Sequence, residues 1–389
     1  MKKITQKDTN LYYVRTFMSL MLIISFIRSK KNINSFNTLI INYQYFSRKI
    51  IYKCTPFLKK YFHSIEYIKY KRNSNYSSSN FFKYYFRRSQ EIKRFSKIVE
   101  KIILKYNVKN IYTGGDDIEI AISKIKNTRI STYYIEHGHG NLAEAIINAQ
   151  KFRFYQYFYK LIILIFFKLN IFYYGPISWK GYVTILGNRF TNKFFKKNLI
   201  RSACLNGFSP FVKKLVVKPK HINLEIDRLT ESLKIKKPSK KNYILLNFGG
   251  SNRHQDLNQF KILMKKILNI VDKKKDTILI KEKEISNDVK TSLQKTIVKI
   301  LIKQKIKIIY LSQFPISSLP SEVVIRLFNI KKIISEISTV AYFSEILFKN
   351  TQIYVFKNFF LSNKNQPLKD KVYKVINLYE KKFKKINFY

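Results

Sequence analysis

Acidic side chains are scarce in this sequence. Asp and Glu total 23 against 75 Lys and Arg, so the 389-residue chain carries a formal charge of +52. The abundance of Lys, Asn, Ile, Tyr and Phe points to AT-rich coding, which inflates lysine, but Glu codons tolerate the same bias and Glu is still rare. A cation of this size needs an anion nearby: membrane lipid, nucleic acid or an acidic substrate. Cysteine is nearly absent as well. Cys54 and Cys204 lie in no Cys-x-x-Cys or Cys/His pattern, so no disulfide framework or zinc site follows and the chain reads as intracellular. Long apolar runs are missing too. Phe17 to Ile27 falls short of the ~20 residues that span a bilayer. No small-residue cleavage site follows it, and it leads straight into Arg28, Lys30 and Lys31; it reads as a first core segment. No internal repeat is found. Nor is there any helix-turn-helix, RNP-type or zinc-finger signature, which weighs against a nucleic-acid partner.

What is present suits a folded protein of two domains. Hydrophobic residues make up 46% of the chain, enough for a sizeable core, and the length accommodates two domains of ~100–200 residues. From Phe95 the pattern is α/β. Phe95 to Tyr106 has helical spacing, Val108 to Thr113 reads as a strand, Gly114-Gly115-Asp116-Asp117 as a turn into a helix Ile118 to Ile125, and Ile130 to Ile135 as a strand. Between Glu144 and Glu225 no acidic residue occurs, while Lys and Arg occur fourteen times. Phe152 to Tyr174 inside that band is mostly aromatic and aliphatic. Two readings stand for it: a basic, apolar membrane-associating surface, or an aromatic-rich core element. The polar stretch Lys234 to Lys241 reads as a linker. After it, strands at Tyr243–Asn247, Thr277–Ile280, Lys307–Leu311, Lys332–Ile337 and Gln352–Phe356 alternate with helices at Gln259–Val271, Val289–Ile302, Pro320–Phe328 and Ser338–Phe348. That alternation predicts a parallel sheet with helices on its faces. The tail Leu368 to Lys385 reads as a lysine-rich helix.

Four turns offer chemistry. Glu136-His137-Gly138-His139-Gly140 puts a carboxylate at a strand end, where glycines let the backbone approach a ligand. It is read as a catalytic turn with Glu136 as general base, as a zinc site of Glu136, His137 and His139, or as a structural glycine turn. Gly249-Gly250-Ser251 follows a strand and resembles a phosphate-approach turn or a plain tight turn. Ser338-Thr339 heads a helix, as an anion site or an N-cap. Gly114-Gly115-Asp116-Asp117 stands at a helix head, where the adjacent aspartates are read as a cap that complements the helix dipole on the acceptor side, or as metal ligands.

In this order the pieces resemble the bacterial sialyltransferases that build lipooligosaccharide and polysialic acid capsules. Tyr134-Ile135-Glu136-His137-Gly138-His139-Gly140 looks like their acidic-acidic-Gly motif, Leu319-Pro320-Ser321-Glu322-Val323 like their LPxE helix start, and Ser335-Glu336-Ile337-Ser338-Thr339 like their Ser-Ser/Thr motif. The likeness covers roughly residues 95–355 and rests on short motifs. It implies the GT-B fold, two Rossmann-like parallel-sheet domains with an inter-domain cleft: residues 1–235 on the acceptor side, including a membrane-associating region 145–224, and residues 236–365 on the donor side, followed by a basic helix 366–389. It further implies a CMP-activated donor, sialic acid or a related sugar acid, with no cofactor and no metal. Glu136 would deprotonate the acceptor hydroxyl. Ser338 and Thr339 would hold the CMP phosphate, joined on the donor side by Gly249, Gly250, Ser251, Lys281 and Glu322. Gly114, Asp116, His137, Gly138 and His139 would lie on the acceptor side.

The chain departs from the family in two motifs: His137 replaces the second acid of the acidic-acidic-Gly motif, and the His-Pro pair is missing. At its Lys-x-His-Pro position stands Lys281-Glu282-Lys283-Glu284, so Lys283 replaces the histidine that acts at the leaving phosphate. A lysine supplies charge there but is a poorer proton donor at an ordinary pKa of ~10.4. The implied acceptor is a glycan or glycolipid of the cell surface, and the implied location the inner face of the cytoplasmic membrane, in peripheral contact with anionic lipid. The alternatives are a non-catalytic relative in capsule assembly and a basic nucleic-acid-binding protein.

Overall fold

The computed structural model describes residues 9–29, 35–42, 48–68, 81–114, 130–136, 179–186, 212–234, 242–248, 257–281, 292–311, 319–336, 338–357 and 376–389. The chain divides into two units, Met1–Ile222 and Asn223–Tyr389.

The first unit is built on seven parallel strands: β1 (Thr9–Val14), β2 (Phe36–Asn42), β3 (Ser64–Ile68), β4 (Asn110–Thr113), β5 (Ser131–Ile135), β6 (Trp179–Thr184) and β7 (Lys214–Val216). Their order is β3-β2-β1-β4-β5-β6-β7. The chain thus winds outward from β1 in one direction and then in the other, the doubly wound arrangement. Helices α1 (Phe17–Ser29), α2 (Arg48–Leu58) and α3 (Phe81–Tyr106) fall between its first four strands. The first ninety residues, which show little pattern in sequence, therefore supply β1, where the winding starts, and three of the seven strands. Phe17 to Ile27 is buried along its whole length in α1. A helix apolar all round belongs inside a core, and α1 packs on β1 and β6. On the other side, α3 turns Phe95, Val99, Ile102 and Ile103 into a cluster with Leu11 and Ile111.

Register in this sheet is set by two ladders on one face. At the amino ends, Asn110 donates to Asn10 at 3.0 Å, Asn10 donates to Asn37 at 3.1 Å, and Asn37 donates to the Tyr61 carbonyl at 3.3 Å. Further along, Tyr12, Tyr112 and Tyr133 stand side by side on β1, β4 and β5. Their rings stack at 4.8 Å and 4.5 Å, contacts of ~0.5–1.5 kcal/mol each beyond area burial. The ladder ends at Gly181 on β6, paired with Tyr133. A Cβ there would meet Tyr133 Cδ1 and Leu215 Cδ1 at 3.0 Å each, so only glycine leaves room for the terminal ring. Gly181→Ala is expected to destabilise the protein by about 1–3 kcal/mol through overpacking, read as a lowered midpoint in thermal unfolding. An unchanged midpoint would mean that the ring yields at no cost.

The second unit has six parallel strands, β8 (Asn242–Asn247), β9 (Asp276–Ile280), β10 (Lys307–Tyr310), β11 (Lys332–Glu336), β12 (Gln352–Phe356) and β13 (Ile386–Phe388), in the order β10-β9-β8-β11-β12-β13. It is doubly wound as well. Helix α4 (Pro219–Ser232) leads in. Two side chains of α4 bind elements of this unit: Asp227 is gripped by the Arg326 guanidinium at 2.8 and 2.7 Å, and Asn223 donates to the Leu347 carbonyl at 2.7 Å. Helices α5 (Leu257–Ile270) and α6 (Ser292–Lys303) close one core through Leu263, Ile267, Ile297 and Leu301 against Ile278 and Ile280. Helices α7 (Ser321–Leu327) and α8 (Thr339–Leu347) complete the alternation that the sequence predicts.

One expectation needs correction. The tail does not run on as a helix to Lys385. A helical segment covers 376–382, and Ile386–Phe388 then becomes β13, parallel to β12. The reason lies in packing: Tyr379 and Phe383 bury their rings with Tyr342, and Tyr389 stacks on Phe356 at 5.4 Å. The expected helix Ile118 to Ile125, the linker residues 235–241 and the apolar run Phe152 to Tyr174 lie outside the described residues. Among the described residues no helix is long and apolar enough to cross a membrane.

Candidate functional site

In a doubly wound parallel sheet, ligands bind outside the carboxyl ends of the strands, next to the point where the winding reverses. In the first unit that point lies between β1 and β4. The strand ends there carry Arg15 and Thr16 after β1, Gly114 after β4, Glu136 after β5, and Ile185 and Leu186 after β6.

Glu136 is the one acid among them, and it is buried, with 3% of its surface exposed. Its surroundings hold it from three sides. Its N–H donates to the Val183 carbonyl at 3.0 Å, continuing the β5–β6 ladder past the strand end. Its carbonyl accepts from the Ser19 hydroxyl at 2.9 Å. Its carboxylate Oε2 accepts from Thr184 Oγ1 at 2.6 Å and from the Ile185 amide at 2.9 Å. Burial lifts the carboxyl from its ordinary 4.5 to about 7, against the opposing pull of Thr184 and the amides of Ile185 and Leu186. A carboxylate tuned to neutrality is what a general base needs at cellular pH.

Tyr182 and Lys214 lie on the neighbouring strands. The Tyr182 hydroxyl is pushed well above its usual range by burial, and then by the charges of Glu136 and Tyr134. Lys214 holds its ammonium 5.2 Å from the Tyr182 ring centre, and burial brings it down to about 7. Neither Lys214 nor Thr184 nor Ser19 is singled out by sequence. Each is an ordinary residue in an ordinary run; the fold brings Ser19 of α1 and Thr184 of β6 to Glu136, and Lys214 of β7 to the Tyr182 ring.

In the second unit the winding reverses between β8 and β11. Asn247 ends β8, and its amide reaches the Ser338 hydroxyl at 3.5 Å. Ser338 stands at the N-cap of α8 in extended conformation, but its side chain makes no capping bond. The plain cap reading therefore does not use its hydroxyl. Ser338 and Thr339, the first helical residue, are both partly exposed, at the amino end of α8. Two strands away, the Lys281 ammonium at the end of β9 donates to the Leu319 carbonyl. Its charge pulls down the Glu322 carboxyl, which burial raises overall. The structure thus gathers Lys281 with Glu322, and Ser338 with Asn247. Gly114 is buried at the end of β4. Asp116, His137, Gly138, His139, Gly249, Gly250, Ser251 and Lys283 lie outside the described residues.

No family model matches the chain, and no curated protein matches it by sequence. Solved structures do match in fold. The alpha/beta-galactoside alpha-2,3-sialyltransferase of the luminous marine bacterium Photobacterium phosphoreum is 11% identical, with 98% of each chain covered and a TM-score of 0.54. A sialyltransferase of Photobacterium damsela is 10% identical, with 98% of this chain and 81% of the other covered and a TM-score of 0.53. The expected architecture, two successive parallel-sheet α/β domains of the GT-B kind, is therefore the fold of this chain.

Proposed function

We propose that this protein is a sialyltransferase-like glycosyltransferase. It moves sialic acid or a related sugar acid from a CMP-activated donor to a cell-surface glycan, a capsule chain or a lipooligosaccharide. The observation that carries the reading is Glu136: a buried carboxylate at a strand end of the first unit, anchored on three sides and raised to about 7.

In the proposed step the acceptor hydroxyl attacks the anomeric carbon with inversion. Its proton passes to Glu136, and the bond to the donor phosphate breaks with its electron pair on the phosphate oxygen. The departing phosphate is met by the hydroxyls of Ser338 and Thr339 at the amino end of α8, with lysine charge from Lys283 where the family uses histidine. No step calls on a metal. The formal charge of +52 supports a sugar-acid donor, a polyanionic product and peripheral contact with anionic lipid at the inner face of the cytoplasmic membrane. The basic region 145–224 is the part proposed to make that contact.

The test is a screen of the purified protein against CMP-sialic acid, CMP-Kdo, UDP-sugars and GDP-sugars, with thermal shift for binding and nucleotide release for turnover. Stabilisation by CMP-sugars alone, lost in Ser338→Ala, is the expected result. Binding without turnover would mark a non-catalytic relative. Indifference to every nucleotide sugar would overturn the proposal.

A further inference from the structure

The Glu136 carboxylate is held by a different strand from the one that carries it. Its donors include Thr184 Oγ1 at the end of β6 and the Ile185 amide in the turn that follows, and both of these meet the same oxygen, Oε2. The Thr184 hydroxyl is itself aimed. It accepts the Leu186 amide at 2.9 Å while donating to the carboxylate at 2.6 Å. Thr184 is wholly buried, and a buried hydroxyl is kept where its hydrogen bonds matter. Two donors on one oxygen occupy its lone pairs and fix the rotation of the carboxyl plane. The main chain beneath is already fixed by Val183 and Ser19, and Ser19 in turn by the Thr16 hydroxyl at 2.8 Å.

We infer that Thr184 is a positioning residue for the base: by gripping Oε2 it turns the carboxylate so that Oε1 takes the proton of the acceptor hydroxyl. This rests on the reading of Glu136 as the base. As the hydroxyl oxygen bonds to the anomeric carbon, its proton goes to Oε1, and the donor phosphate leaves with the electron pair of the bond that breaks. Thr184 keeps its own proton throughout. A short bond to an ionised acceptor also favours the ionised form, so the same hydroxyl keeps the base ready at lower pH.

The test uses Thr184→Val, which keeps the shape and removes the hydroxyl, and Thr184→Ser, which keeps the hydroxyl. Transfer is measured as kcat/KM from about pH 5.5 to about pH 9. The valine protein is expected to lose more activity the lower the pH, its midpoint displaced upward by about one unit, while the serine protein follows the original profile. Loss by one factor at every pH, or an unmoved profile, overturns the inference. Should the valine protein not fold, Thr184→Cys, a weak donor of similar shape, replaces it with the same expectations.

A second measurement needs no substrate. Thermal unfolding above about pH 7 is followed for the original protein, Thr184→Val, Glu136→Leu, which leaves no acceptor, and the double variant. Coupling is expected, Thr184→Val lowering the midpoint less when Glu136 is already Leu. Additive effects overturn the grip. Coupling without any transfer counts against Glu136 as the base and leaves the grip standing.

Discussion

Glu136→Gln is expected to lower the rate of transfer by about 10²–10⁴-fold, the usual worth of a general base, while leaving donor binding in place. Glutamine has the shape of the original side chain, and its carbonyl oxygen can still accept from Thr184 and Ile185, so the site stays assembled. What disappears is the ability to take a proton. The donor is proposed to bind Ser338 and Thr339, which belong to the second unit, so stabilisation by a CMP-sugar should survive the substitution. In the original protein the base works only when ionised. With the carboxyl at about 7, kcat/KM should fall about tenfold per pH unit below that value and level off above it. A glutamine variant as active as the original would remove Glu136 from the mechanism altogether.

The same carboxyl should make stability fall with rising pH. Its folded value, about 7, lies above its ordinary 4.5 because burial disfavours the charge. The unfolded chain therefore gives up its proton first. The contribution is fully present below about pH 4.5 and is lost as pH rises through about 7, to the extent of about 3 kcal/mol at ~1.4 kcal/mol per unit. Glutamine never ionises and escapes the penalty. Relative to the original, Glu136→Gln should gain stability steadily across that window, on top of any constant offset from the substitution. Denaturant midpoints at several pH values read this directly. A difference that does not change with pH would mean that the carboxylate ionises without resistance, and that the neutral-pH tuning of the base is absent.

Much of the second unit is legible in the sequence, because strands and helices alternate there with short connections and each apolar run has one reading. Buried parallel strands such as Asp276–Ile280 show as short continuous apolar runs. The first unit is harder. The run that becomes α1 is apolar all round and offers no face to read. Strands β6 and β7 are separated by residues 185–213, and β7 is only three residues long. Gly181 owes its identity to a tyrosine on another strand. The tail misleads because its lysines keep helical spacing up to the point where Ile386 turns into the sheet. At the site, a carboxylate at a strand end is visible in a linear reading. The donors that hold it, Ser19 and Thr184, lie 117 and 48 positions away, and no local spacing points to them.

That dispersal bears on how such a protein diverges. Glu136 depends on one hydroxyl near the start of the chain, one hydroxyl at the end of a later strand, and main-chain groups that any residue supplies. Selection on this arrangement acts on isolated positions and on the path of the backbone, and leaves the stretches between free to drift toward lysine, asparagine and isoleucine. Two chains can then share a fold while retaining about one identical residue in nine, as this chain and the Photobacterium phosphoreum protein do at 11% identity. What a variant of this chain must keep at Glu136 is a spaced trio of side chains on a fixed backbone path, more than any contiguous word.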